Sequence, residues 1–139
     1  MLAPMPTDNE LLAGQRIVAS VRSAFPDDAR LIDTSLRDDH FEVEESPHIW
    51  LERFSQFTTN AIKRGQYATA SEHLNLLSAL LTAADEPTIR CIDVAYVESL
   101  MWDIEDGNVK HEGWRLIPSN LQSLYTAMWG KQPFMQRTA

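Results

Sequence analysis

Asp93 and Asp103 interrupt the most apolar stretch of this sequence, and carboxylates so placed are the first candidates for acid–base chemistry. On a helical wheel Asp93 falls between Ile89, Ile92, Tyr96, Val97 and Leu100, with Asp103 at the edge of the same face. Burial raises a carboxyl pKa toward the range a general acid or base needs. No nucleophile or metal ligand stands beside Asp93 in the pattern. The expected role is therefore structural, with a tyrosine, a tryptophan N–H, an arginine or a helix N-terminus as its partner.

The other reactive side chains make no recognised constellation. His40, His48, His73 and His111 form no HExxH or comparable ligand spacing. Asp38, Asp39, His40 and His48 are close in sequence but fit no metal rule, so the histidines are expected as solvated loop and helix-start residues. Cys91 has only Arg90 beside it to stabilise a thiolate, so an inert, partly buried thiol is expected. GxxxxGK[ST], GxGxxG and GxSxG are absent, and no Ser/His/Asp order matches a known triad. No enzyme activity, catalytic residue, metal or cofactor is expected.

Two places look suited to gripping a protein. In the first, Asp38, Asp39, Glu42, Glu44 and Glu45 crowd around Phe41 and Val43, pairing negative charge with apolar grip. In the second, Trp114 follows Glu105, Asp106 and Glu112 in a segment read as a loop. An aromatic among acids has the composition of an interface hot spot, and an anchor plugged into the bundle is the rival role. Trp50, Trp102 and Trp129 are expected to pack between helices.

The chain has 139 residues, 44% hydrophobic and 23% charged, the balance of one ordinary globular domain. Twenty acids against twelve bases leave a formal net charge of -8. Nucleic acid and anionic membranes repel such a surface, whereas a basic protein is attracted to it. One cysteine allows no internal disulfide, and the start Met1-Leu2-Ala3-Pro4 has neither the basic nor the apolar region of a signal peptide. No apolar run is long enough to cross a bilayer. A cytoplasmic protein is expected, its oligomeric state left open.

The elements that would position these residues are helices. Thr7 and Glu10 form a capping box for a helix over 8–24, and Gly14 on its apolar stripe would admit a close backbone. Pro26-Asp27-Asp28 starts a short helix through Leu31 and Ile32. Residues 36–46 read as an acidic linker. Ser46-Pro47 opens a helix that Gly65 ends, and a short turn leads to an antiparallel partner over 67–84. Asp85-Glu86-Pro87 launches a helix over 88–105 that is apolar almost all round, the mark of a central buried helix, with Gly107 past its end. Pro118 to Gly130 bounds a last helix, and residues 1–6 and 131–139 read as flexible ends. The sum is a single all-α domain, an irregular bundle of five to six helices in antiparallel pairs.

Trp50 and Phe54, the Leu74/Leu77/Leu81 helix, the Ile92–Leu100 helix with Glu98, and Trp114-Arg115-Leu116-Ile117-Pro118 … Tyr125 … Trp129-Gly130 together resemble a small bacterial helical family without an assigned activity. In size, charge and fold class such proteins are similar to toxin immunity proteins. The resemblance implies a non-enzymatic protein that occludes the active site of a basic bacterial toxin domain. The contact residues would be Asp38, Asp39, Phe41, Glu42, Glu44 and Glu45, with Glu105, Asp106, Glu112 and Trp114. A regulatory or scaffold domain that holds a peptide or forms a homo-oligomer is the alternative.

Overall fold

The computed structural model describes residues 8–136. Among them the backbone forms seven α-helices and no strand: α1 Asp8–Ala24, α2 Pro26–Asp38, α3 Pro47–Lys63, α4 Tyr67–Leu81, α5 Glu86–Cys91, α6 Gly107–Leu116 and α7 Ser119–Trp129. Short 3-10 turns occupy Val43–Glu45 and Pro133–Met135, and a π-helical segment spans Ile92–Val97. The protein is all-α. It has more helices than the expected five to six because the segment read as a loop around Trp114 is α6. The Thr7 capping box lies outside the described residues.

Helix α3 is seated among α1, α2, α4, the π-helical segment and α6. Its Trp50, Leu51, Phe54 and Ile62 are fully or almost fully buried. Burying each such side chain contributes roughly 1.5–3 kcal/mol. The turn to α4 is set by Gly65, whose φ of 72° suits a residue without a Cβ. There the Gly65 N–H donates to Ile62 O and the Gln66 N–H to Ala61 O, the paired bonds of a Schellman ending. Pro47 opens α3 as expected, but the Ser46 hydroxyl makes no capping bond.

Gly14 does admit a close neighbour. A Cβ there would lie 2.8 Å from Pro47 Cβ and 3.5 Å from Cys91 Sγ, so α1 seats directly on the start of α3 and on α5. Gly113 plays the same part in α6, where a Cβ would meet Met101 Sδ at 2.7 Å and Ile62 Cγ2 at 2.9 Å.

Four further segments differ from expectation. The stretch 88–105 is buried, with Ile92, Tyr96, Val97, Leu100 and Met101 inaccessible, but it is not one α-helix. It is α-helical to Cys91, then π-helical, with the Glu98 N–H reaching back to Asp93 O, and it continues as turns to Asp103. Gly107 does not end it. Asp106 caps α6 instead, its Oδ1 accepting from the Asn108 N–H at 2.8 Å and the Val109 N–H at 3.3 Å. Helix α2 runs to Asp38 because Ile32 and Leu36 both find the core, so half of the acidic linker is helix or 3-10 turn. Residues 131–136 are not a loose tail: Phe134 stacks edge-on against Trp114 and Tyr125, and its carbonyl is 2.7 Å from His111 Nδ1.

Candidate protein-binding surfaces

The most chemically suggestive side chains meet inside the core, where no substrate can follow. Asp28 Oδ2 lies 3.1 Å from His73 Nε2, His73 Nδ1 lies 3.0 Å from Thr58 Oγ1, and Thr58 Oγ1 lies 2.8 Å from the Tyr96 hydroxyl. Asp, His and a hydroxyl in that order are the members of a nucleophilic triad. Thr58 and Tyr96 are fully buried and His73 is 1% exposed, and the Thr58 hydroxyl also lies 3.3 Å from Phe54 O, so it faces other groups of the protein. One assignment of protons satisfies these three links: Tyr96 donates to Thr58, Thr58 to His73 Nδ1 in preference to the more distant Phe54 O, and His73 Nε2–H to the carboxylate. Burial holds the His73 pKa below its ordinary value, although Asp28 pulls the other way, and this favours that neutral imidazole. His73 is therefore not the solvated residue that sequence suggested.

Asp33, which unlike the partly exposed Asp28 is buried, accepts from the Trp50 indole N–H at 2.8 Å and is paired with Arg22. Burial pushes its pKa up, but the Arg22 and Trp50 hydrogen bonds and the Arg22 charge outweigh this and leave it lowered. Cys91 is buried and its thiol is pushed up to about 11, chiefly by desolvation, so it is a poor nucleophile.

The two aspartates of the 92–103 stretch part company. Asp103 Oδ2 accepts from Lys63 Nζ at 3.0 Å and from Gln56 Nε2 at 3.3 Å, while its Oδ1 is buried with no hydrogen bond. Asp93 finds none of the partners expected for it: its Oδ1 is buried with no hydrogen bond. Its carboxyl is raised by burial and then by the Glu98 charge. Among the described residues no three His, Cys, Asp or Glu side chains gather as a metal site.

The acidic segment is held against the bundle. Asp39 pairs with Arg53 at 2.7 Å, and the same guanidinium lies 5.8 Å from the centre of the Phe41 ring. Gln15 Nε2 donates to Glu44 O at 2.8 Å, fastening the 3-10 turn to α1. Val43 packs against the core while Asp38, Glu42, Glu44 and Glu45 remain exposed. Beside them a groove of about 560 Å³ runs between α1, the Phe41–Ile49 segment and α5, with Leu11, Phe41, Ile49 and Val94 on its walls.

The second predicted patch is rearranged. Trp114 lies in α6, partly buried, with its ring edge-on to Tyr125 at 5.5 Å and to Phe134 at 5.9 Å. Glu112 is half-buried and faces Arg115 at 3.5 Å, while Glu105 and Asp106 are exposed. The exposed aromatics at this end are instead Trp102, 67% accessible, and Trp129, 47% accessible, which share one cleft. Sequence reasoning passed over Trp102 because a tryptophan in an apolar run reads as core. The Asp103-Ile104-Glu105-Asp106 run beside it was the available signal.

Residues 18–130 match the family model described as a domain of unknown function (DUF7674). A comparison with curated proteins finds no match, and a comparison with solved structures finds none either. The matched residues make up most of the chain, which belongs to that family.

Proposed function

For this member of the DUF7674 family we propose a non-enzymatic binding role: an immunity-type inhibitor that neutralises a basic bacterial toxin domain by covering its active site. The observation that carries this reading is the anchored acidic segment. Asp38, Glu42, Glu44 and Glu45 are exposed beside Phe41 on a backbone tied to α1 and α3. Fixing acids in place before contact lowers the entropy cost of binding and steers a basic partner. The net charge of -8 disfavours nucleic acid and anionic membranes as partners. No helix among the described residues is long and apolar enough to cross a membrane, and a cytoplasmic site of action fits this reading.

The test begins with a toxin domain recovered from the native host, or encoded beside this gene, and bound to the purified protein. Reversing the charges of Asp38, Glu42 and Glu45 together should slow association and flatten its dependence on salt. An unchanged rate and salt slope would remove this face from the interaction. The groove walled by Leu11, Phe41, Ile49 and Val94 favours a second reading, a regulatory domain that holds an apolar peptide.

A further inference from the structure

The end of the molecule opposite in character to the acidic segment is built from aromatic rings. Trp102 and Trp129 line a cleft of about 210 Å³ together with Glu98, Lys110, Tyr125 and Phe134. That volume is below the usual range for a small-molecule pocket and suits a single side chain. Neither tryptophan ring is stacked on another aromatic or covered by a cation among the described residues, although both are exposed.

Trp102 is held in this exposed position by its surroundings. The preceding residue, Met101, is buried with a φ of 61°, a left-handed conformation that a non-glycine residue adopts only when its neighbours fix it. Its N–H donates to the buried Thr59 hydroxyl at 2.9 Å, and the Trp102 indole N–H donates to Gln56 Oε1. A large apolar side chain kept rigidly in water is what an interface anchor requires.

The charges around the cleft select its occupant. Glu98 is exposed, and no ion pair or hydrogen bond engages its side chain among the described residues. Asp93, one π-helical turn earlier, keeps its unbonded oxygen, and its carboxyl is raised by burial and by Glu98. Asp93 does not line the cleft, so Glu98 is the carboxylate that a cation entering it would meet. Lys110, the opposite charge in the lining, is turned onto the Phe134 ring, its ammonium 4.8 Å from the ring centre.

We propose that this cleft takes an arginine side chain of a protein partner, its guanidinium stacked on Trp102 and Trp129 and its charge met by Glu98. Arginine fits better than lysine because its planar, weakly hydrated group stacks on rings and still donates to a carboxylate. The proposal rests on the protein-binding reading above and adds a second, aromatic contact remote in sequence from the acidic segment.

The probe is the capped peptide acetyl-Gly-Arg-Gly-Arg-Gly-amide, added to the isotope-labelled full chain while the four indole N–H resonances are followed. The Trp102 and Trp129 resonances should move, and those of the enclosed Trp50 and Trp114 should stay. The citrulline counterpart should have no effect. Trp102→Ala and Glu98→Gln should each weaken the response by about fivefold, and Glu98→Gln should do so without changing the thermal melt. Unmoved Trp102 and Trp129, an equal response to citrulline, or unaltered binding by Glu98→Gln would overturn the proposal. Shifts confined to residues 38–45 would also overturn it while leaving the acidic-face reading intact. Conversely, a toxin indifferent to the 38–45 charge reversals would remove that reading without touching the indole result.

Discussion

The α3–α4 hairpin and the stretch from Ile92 to Asp103 lie against each other and handle their backbones in opposite ways. The hairpin closes its hydrogen bonds within its own helices and ends α3 on a glycine. The 92–103 stretch leaves backbone groups over, and α3 supplies the missing partners. Ser55 donates to Tyr96 O at 2.7 Å, Thr59 accepts from the Met101 N–H at 2.9 Å, and Thr58 meets the Tyr96 hydroxyl. Two hydroxyls on an otherwise apolar helix face, those of Ser55 and Thr59, are therefore the complement of an irregular backbone, and Thr58 adds a side-chain bond beside them. A buried backbone need not be regular if a rigid element beside it carries the right donors and acceptors.

The sharpest way to break this contrast is Thr59→Val, which keeps the shape and removes the acceptor. The Met101 N–H would be buried without a partner, costing about 1–3 kcal/mol. Denaturant unfolding should show that loss, and amide exchange should quicken at 97–104 before it does in α4. A loss confined to a few tenths of a kcal/mol would mean that the stretch holds its shape unaided.

Gly65→Ala tests the other side. No neighbour would clash with the new Cβ, so the cost is the positive φ alone, about 1 kcal/mol, and it should fall on the hairpin without altering exchange in 97–104. The smallest effect joins the two regions through His73. Its pKa is lowered in the folded protein, so the unfolded chain binds more protons as the pH falls. This contribution is complete above the unfolded value of about 6.5 and is lost as the pH drops below it. His73→Gln should flatten the stability profile between about pH 7 and 5. An unchanged slope would show that His73 does not carry it.

How much of this was legible depends on whether a residue's partner is local. Pro47 and Gly65 act within a few positions of themselves, and the helices they bound are where the sequence places them, within a few residues; Asp85 marks the start of α5 but not its end. The stretch 88–105 is apolar all round, so it declares burial but has no periodicity to distinguish α from π. The Asp106 cap was hidden by Gly107, which reads equally well as the end of one helix or the start of another. His73 and Asp33 owe their burial to Asp28, Thr58, Arg22 and Trp50, all more than ten positions away, and no local pattern announces them. The two tryptophans exchanged roles for the same reason: Trp114 has Tyr125 and Phe134 to cover it, and Trp102 has only Gln56.

The seating of Gly14 on Pro47 and against Cys91 also bears on how the chain assembles. Helix α1 is made first, yet much of its packing surface belongs to α5, which follows only after α2, α3 and α4. A chain emerging from the ribosome can pair α3 with α4 early, while the Glu10 and Gly14 side of α1 gains its contacts to Arg90 and Cys91 only once those residues have appeared. Closure of α1 onto α5 is thus a long-range contact, of the kind that slows folding relative to local pairing such as that of α3 with α4.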